Sequence, residues 1–144
     1  MTKTKILIAL LALVCFASCD NYGTKTTNGN IDTYYKEGIT EGQAKKTAAL
    51  FYEMDKLTST HDEKVQKSVQ LIKKNDTVCL RMVVDEAKAK GMGDMVFLPI
   101  SNIISDSVFN GSPVNMDLTD KTFKTIKTIP YKKVNLEELE KGNQ

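Results

Sequence analysis

The chain of 144 residues has no tryptophan and a single histidine, His61. One imidazole cannot build a His-rich metal site or an HExxH helix, so the zinc-hydrolase class loses its usual ligands. Charge of one sign is also lacking. Lys and Arg number 20 against 18 Asp and Glu, a formal net charge of +2. A nucleic-acid surface would need a clear basic excess on one domain, so no nucleic-acid partner is expected. No apolar run reaches the roughly 20 residues that a membrane-spanning helix requires. The glycines of Gly91-Met92-Gly93-Asp94 lack the third glycine of a dinucleotide loop and the Gly-Lys-Ser/Thr of a P-loop. Asp106, Asp117 and Asp120 lack the alternating spacing of a calcium loop, and no serine sits in a Gly-x-Ser-x-Gly context. No cofactor is expected.

What is present begins at the N-terminus. Lys3 and Lys5 precede an apolar run from Ile6 to Ala17. A basic start followed by about 7–15 apolar residues is the layout of a secretory signal. The run ends in Phe16-Ala17-Ser18-Cys19, which resembles the lipobox of bacterial lipoproteins, with Phe in place of the usual Leu. Cys15 is a poorer candidate, because Val14 before it is not small.

The resemblance implies cleavage between Ser18 and Cys19, a diacylglyceryl group on the Cys19 sulfur, and acylation of the new amino group. It places the remaining chain on a membrane of the bacterial cell envelope, outside the cytoplasm, inner or outer membrane being open. One acyl chain binds a bilayer marginally and two or more hold stably. With Cys15 removed and Cys19 lipidated, Cys79 has no disulfide partner. Loss of Lys3 and Lys5 leaves 18 basic residues against 18 acidic ones.

Residues 19–39 are rich in Thr, Asn, Gly and Lys and read as a lipidated flexible tether to a single domain over 40–144. Thr40 and Gln43 have capping-box spacing, and Thr47, Leu50, Phe51, Met54 and Leu57 follow at helical spacing, predicting a helix over 41–57. Thr60 and Glu63 repeat the cap, and Val65, Val69 and Ile72 predict a second helix over 61–74. Val78, Leu80, Met82 and Val84 alternate, predicting a strand over 77–84; one helix over 77–90 is the competing reading. Met95 to Leu98 reads as a short strand stopped by Pro99. Ile100, Ile103, Ile104, Ser107 and Val108 predict an amphipathic helix over 101–109. Strands over 113–117 and 122–129 and a short helix over 135–140 complete the chain.

The expected fold is therefore α+β. Two N-terminal helices precede an antiparallel sheet of about four strands, with an inserted amphipathic helix and no βαβ crossover. The segments 60–99 and 100–129 share a helix–strand–strand plan and could form a weak repeat. Lys121, Lys124, Lys127, Lys132 and Lys133 alternate with Phe123 and Tyr131. They read as a lysine-protected edge, or as a basic patch for an anionic lipid headgroup or glycan. Cys79 in an apolar run reads as a small buried hydrophobe, and His61 as a solvated first-turn residue. The function expected is a non-catalytic, inhibitor-like binding or accessory module of the envelope, with an envelope protein or glycan as partner. The alternative is a small hydrolase or metal-binding protein using His61 with nearby acids.

Overall fold

The computed structural model describes residues 21–135 and residue 137. Three strand pairs make one six-stranded sheet whose spatial order follows the chain. They are β1 (Thr24–Asn28) with β2 (Ile31–Tyr35), β3 (Lys67–Lys74) with β4 (Thr77–Val83), and β5 (Val114–Thr119) with β6 (Thr125–Ile129). Helix α1 (Glu41–Lys56) links the first pair to the second. Helices α2 (Glu86–Gly91) and α3 (Leu98–Val108), with a 3₁₀ turn at Asp94–Val96, link the second to the third. The α+β class holds.

The sheet is mixed, where an antiparallel one was expected. Each pair is antiparallel within itself, but β2 runs parallel to β3 and β4 parallel to β5. Parallel neighbours need a crossover, so α1 and the α2–α3 segment complete two crossover units. β2 and β4 point in opposite directions, both crossovers step the same way across the sheet, and α1 and α3 meet on one face. The two crossovers therefore have opposite hands, one of them the rare left hand. The repeating unit is a hairpin, used three times, rather than the helix–strand–strand plan.

The core lies between this face and the helices. Val69 and Leu71 on β3, Val78 and Leu80 on β4, and Val114, Met116 and Leu118 on β5 alternate onto it and are buried. Ile104 of α3 is wholly buried against them. Burying each such side chain contributes about 1.5–3 kcal/mol. Among the described residues no helix is long and apolar enough to cross a membrane.

Three local expectations are corrected, and the expected turn at Asn75-Asp76 is found in a different setting. Residues 24–35 are a hairpin and not a tether, because the Thr- and Tyr-rich stretch pairs in register from Thr24↔Tyr35 to Asn28↔Ile31. The second helix is absent, since 67–74 is β3 and alternation of Val69 and Leu71 outweighs the helical spacing of Val65, Val69 and Ile72. The turn at Asn75-Asp76 is real but joins two strands; both residues have left-handed backbone (φ 49° and 63°), as a two-residue hairpin of the right twist requires. Residues 95–98 are not a strand. Pro99 occupies the first turn of α3, where its missing N–H is harmless, so it starts a helix. Most of the expected C-terminal helix falls outside the described residues.

Candidate functional site

The first site forms where α1 ends and β3 begins. The buried stripe of α1 packs Ala44, Thr47 and Ala48 toward the sheet and reaches Asp55 in its last turn. Asp55 is 7% exposed. Its Oδ2 accepts from Asn30 Nδ2 at 3.0 Å and lies 2.7 Å from His61 Nδ1, while Oδ1 pairs with the Lys67 ammonium. Burial works against the ionised carboxyl, but hydrogen bonds from Asn30, Lys67 and His61 outweigh it and hold Asp55 down at about 2. Asn30 also donates to the carbonyls of Val65 at 3.2 Å and Asp62 at 3.4 Å. One carboxylate and one amide thus fasten the 57–66 loop to the β1–β2 turn.

Beside this cluster opens a cavity of ≈ 280 Å³. Its walls are Ile31, Phe51, Met54, Val69, Met82, Val83 and Ile100, with Asp55, Thr58, Lys67 and Ser68 along one side. The two charged groups in the wall are tied to each other, so the space itself is apolar. Among the described residues five large apolar side chains are exposed, Leu57, Val65, Met92, Met95 and Val96, and none of them lines the cavity. Leu57 (88% exposed) precedes Thr58, and Met95 and Val96 (56% and 55%) lie about one helical turn before Ile100.

A second constellation occupies the opposite face of the sheet. Gln70, Arg81, Asp117 and Thr128 are register partners across β3 to β6. Asp117 is fully buried; it accepts from Lys74 Nζ at 2.6 Å and Thr128 Oγ1 at 2.8 Å, with Arg81 Nε at 3.4 Å. Desolvation pushes its carboxyl up, but hydrogen bonds from Lys74, Thr128 and Cys79 prevail and keep it below the ordinary range. Arg81 also donates to Gln70 Oε1 at 2.8 Å and to the Phe123 carbonyl at 2.5 Å. The ionised groups are bonded to one another, two cations around one carboxylate, an arrangement that fixes the sheet rather than one that awaits a substrate.

His61 is therefore brought to an acid, but not to a nucleophile. Its Nε2 lies 3.8 Å from Glu63 Oε1. Cys79 sits on the other face beside Asp117, buried, its thiol pushed up to about 12 by burial and by the Asp117 charge. Among the described residues no three His, Cys, Asp or Glu side chains are placed to hold a metal ion. The five lysines are dispersed. Lys121 and Lys124 are exposed on the β5–β6 turn, Lys127 pairs with Asp94 at 2.5 Å, and Lys133 pairs with Asp106 at 2.7 Å. The carbonyl of Lys132 accepts from Asn102 at 2.9 Å. Ser18 and Cys19 lie outside the described residues.

The sequence reading missed Asn30, Asp55, Lys67, Arg81 and Asp117. The available signal was a lone charge inside an apolar pattern, Asp55 following Thr47 and Phe51 at helical spacing and Arg81 within Val78–Met82.

Comparison with known proteins gives no match to a curated protein and no match to a solved structure. The AF_1994_N family N-terminal domain matches residues 25–130, which spans β1 through β6 and includes both constellations. The chain belongs to that family.

Proposed function

We propose that the protein is a lipid-anchored, non-catalytic binding module of the bacterial cell envelope, held at Cys19 after cleavage behind Ser18, and that the apolar cavity is its binding site. The observation that carries the reading is the cavity itself. Ligand pockets for cofactors and drug-sized molecules run from about 300 to 1,000 Å³, so ≈ 280 Å³ is small for either. An apolar cavity of about 150 Å³ is enough for benzene, and this one has room for a single aromatic or branched side chain. Protein interfaces use such pockets to seat one anchor residue, ringed by contacts that exclude water. Leu57, next in the chain to the wall residue Thr58, is an exposed apolar side chain beside it. A glycan would need open hydrogen-bonding groups, and Asp55 and Lys67 already bond each other. The partner is thus an envelope protein presenting an apolar anchor, as expected of an accessory or inhibitor-like module.

The hydrolase alternative draws on the His61–Asp55 pair. That pair lacks a nucleophile on the far nitrogen, which faces Glu63. Its hydrogen bonds hold the 57–66 loop that borders the cavity.

Two measurements test the proposal. Metabolic labelling with palmitate marks the wild type and leaves a Cys19→Ser variant unlabelled if the anchor is real; equal absence of label removes it. Photocrosslinking in native membranes, with benzoylphenylalanine at Ile100 in the cavity wall or at Lys46 on the outer side of α1, tests the site. A discrete protein adduct from position 100 alone supports it. The same adducts from both positions, or none from either, contradict it.

A further inference from the structure

The way the chain reaches β1 fixes which side of the domain faces the membrane. Tyr22 lies over the sheet face opposite the helices. Its carbonyl accepts from Gln70 Nε2 at 2.7 Å. Its ring meets Tyr34 and Phe123 edge to face, with centroids 5.8 and 5.2 Å away. Tyr34 and Phe123 also meet, at 5.6 Å. The platform is held firmly. Phe123 has φ 57°, unusual for a bulky residue, and its carbonyl is gripped by Arg81. Asp120 accepts from the backbone N–H groups of Thr122 and Lys124 and fastens the same turn. Gly23 then turns the chain into β1 with φ 96°, and a Cβ there would collide with the Tyr35 carbonyl.

Only three peptide units separate Cys19 from Tyr22. At 3.3–3.6 Å per residue their full extension is roughly 10 Å. Resting on the anchoring proposed above, the acyl chains begin within that distance of this face. With β1 beginning at Thr24, only Asp20 and Asn21 stand in the sequence between Cys19 and Tyr22, where a tether over 19–39 was expected. We infer that the polar sheet face, with Tyr22 and Tyr34 half-exposed on it, lies against the headgroup layer of the bilayer that holds the anchor. Tyrosine is enriched at that depth, where its ring is sheltered and its hydroxyl wet. The charge is of the right sign for lipid phosphates. The carboxylates of Asp32 and Asp117 are 12% and 0% exposed, whereas the lysines paired with them, Lys25 and Lys74, are 49% and 50% exposed. Lys121 and Lys124 on the turn that carries Phe123 add to the same rim. The helices and the cavity then face away from the membrane, open to a partner.

The test uses the acylated protein in bilayer nanodiscs of phosphatidylethanolamine and phosphatidylglycerol with a nitroxide on the headgroup. A fluorophore is placed at Lys25→Cys on the polar face or at Lys46→Cys on the outer side of α1, with Thr27→Cys as a second probe of the polar face. Buried Cys79 stays unlabelled. Quenching several times stronger at positions 25 and 27 than at 46 is expected, and a twelve-residue Gly/Ser insert after Asp20 should abolish the difference. Equal quenching at the three positions in acylated protein, or stronger quenching at 46, overturns the inference while leaving the anchor standing. Absence of palmitate on Cys19 overturns both.

Discussion

Asp55 is the residue on which the cavity end of the molecule turns. Its carboxyl is held at about 2, below the ordinary 3.8, by donors that overcome its burial. A depressed carboxylate contributes stability that is complete above about pH 4 and disappears as the pH falls toward about 2. Asp55→Asn removes that titration. The difference in urea midpoint between wild type and Asp55→Asn should be large at neutral pH and narrow steadily below about pH 4; a difference independent of pH would refute the assignment. On the other face, Asp117→Ala strands Arg81 and Lys74 and should cost about 3 kcal/mol. Asp117→Asn, which keeps the Thr128 bond, should cost less, about 1–2 kcal/mol. Asp55 leaves only its place on the helical stripe as a mark in the sequence, and Asp117 leaves none. Their importance comes from partners 12 to 43 residues away, Lys67 for Asp55 and Lys74 for Asp117, and spacing within one segment cannot report such pairings.

At the scale of elements, what was legible was what is local. α1 starts where its capping box said, with Thr40 accepting from Gln43 N–H at 3.2 Å and Gln43 Oε1 accepting from Thr40 N–H at 2.9 Å. β4 alternates as its sequence alternates, and Asp85 caps α2 through the N–H groups of Ala87 and Lys88. The failures share a cause. In β3, Val69 belongs both to a helical pattern with Val65 and Ile72 and to a strand pattern with Leu71, and pairing with β2 and β4 decides between them. β1 is polar and exposed, so composition alone makes it look like a linker; it is a strand because β2 is beside it. Its turn makes a sharp prediction. Gly29 has φ 56°, and the Tyr52 ring of α1 occupies the space where a Cβ would stand. Gly29→Ala should cost about 2 kcal/mol, measured by urea unfolding. Gly93→Ala, with nothing within 4 Å of its Cβ position, should change stability by less than about 0.5 kcal/mol.

For the whole molecule, the six-stranded order and the two crossovers could not be read from the chain, because parallel pairing joins segments with a helix between them. The class α+β was readable from the mixture of periodicities. The cavity is a product of that topology. It exists because α1 and α3 lean together over β3 and β4 without closing over Met54, Met82 and Ile100. If the polar face rests on the membrane, the cavity is presented on the opposite side, so that one small domain carries an anchor face and a recognition face.

The central claim is that this cavity takes an apolar guest. The methionines report on it directly, since Met54 and Met82 line the cavity, Met92 and Met95 are exposed, and Met116 is buried in the core. In a ¹³C-methyl methionine spectrum recorded under xenon pressure, the Met54 and Met82 methyls should shift while Met92, Met95 and Met116 stay in place. Shifts spread equally over all five, or none at Met54 and Met82, would contradict the account.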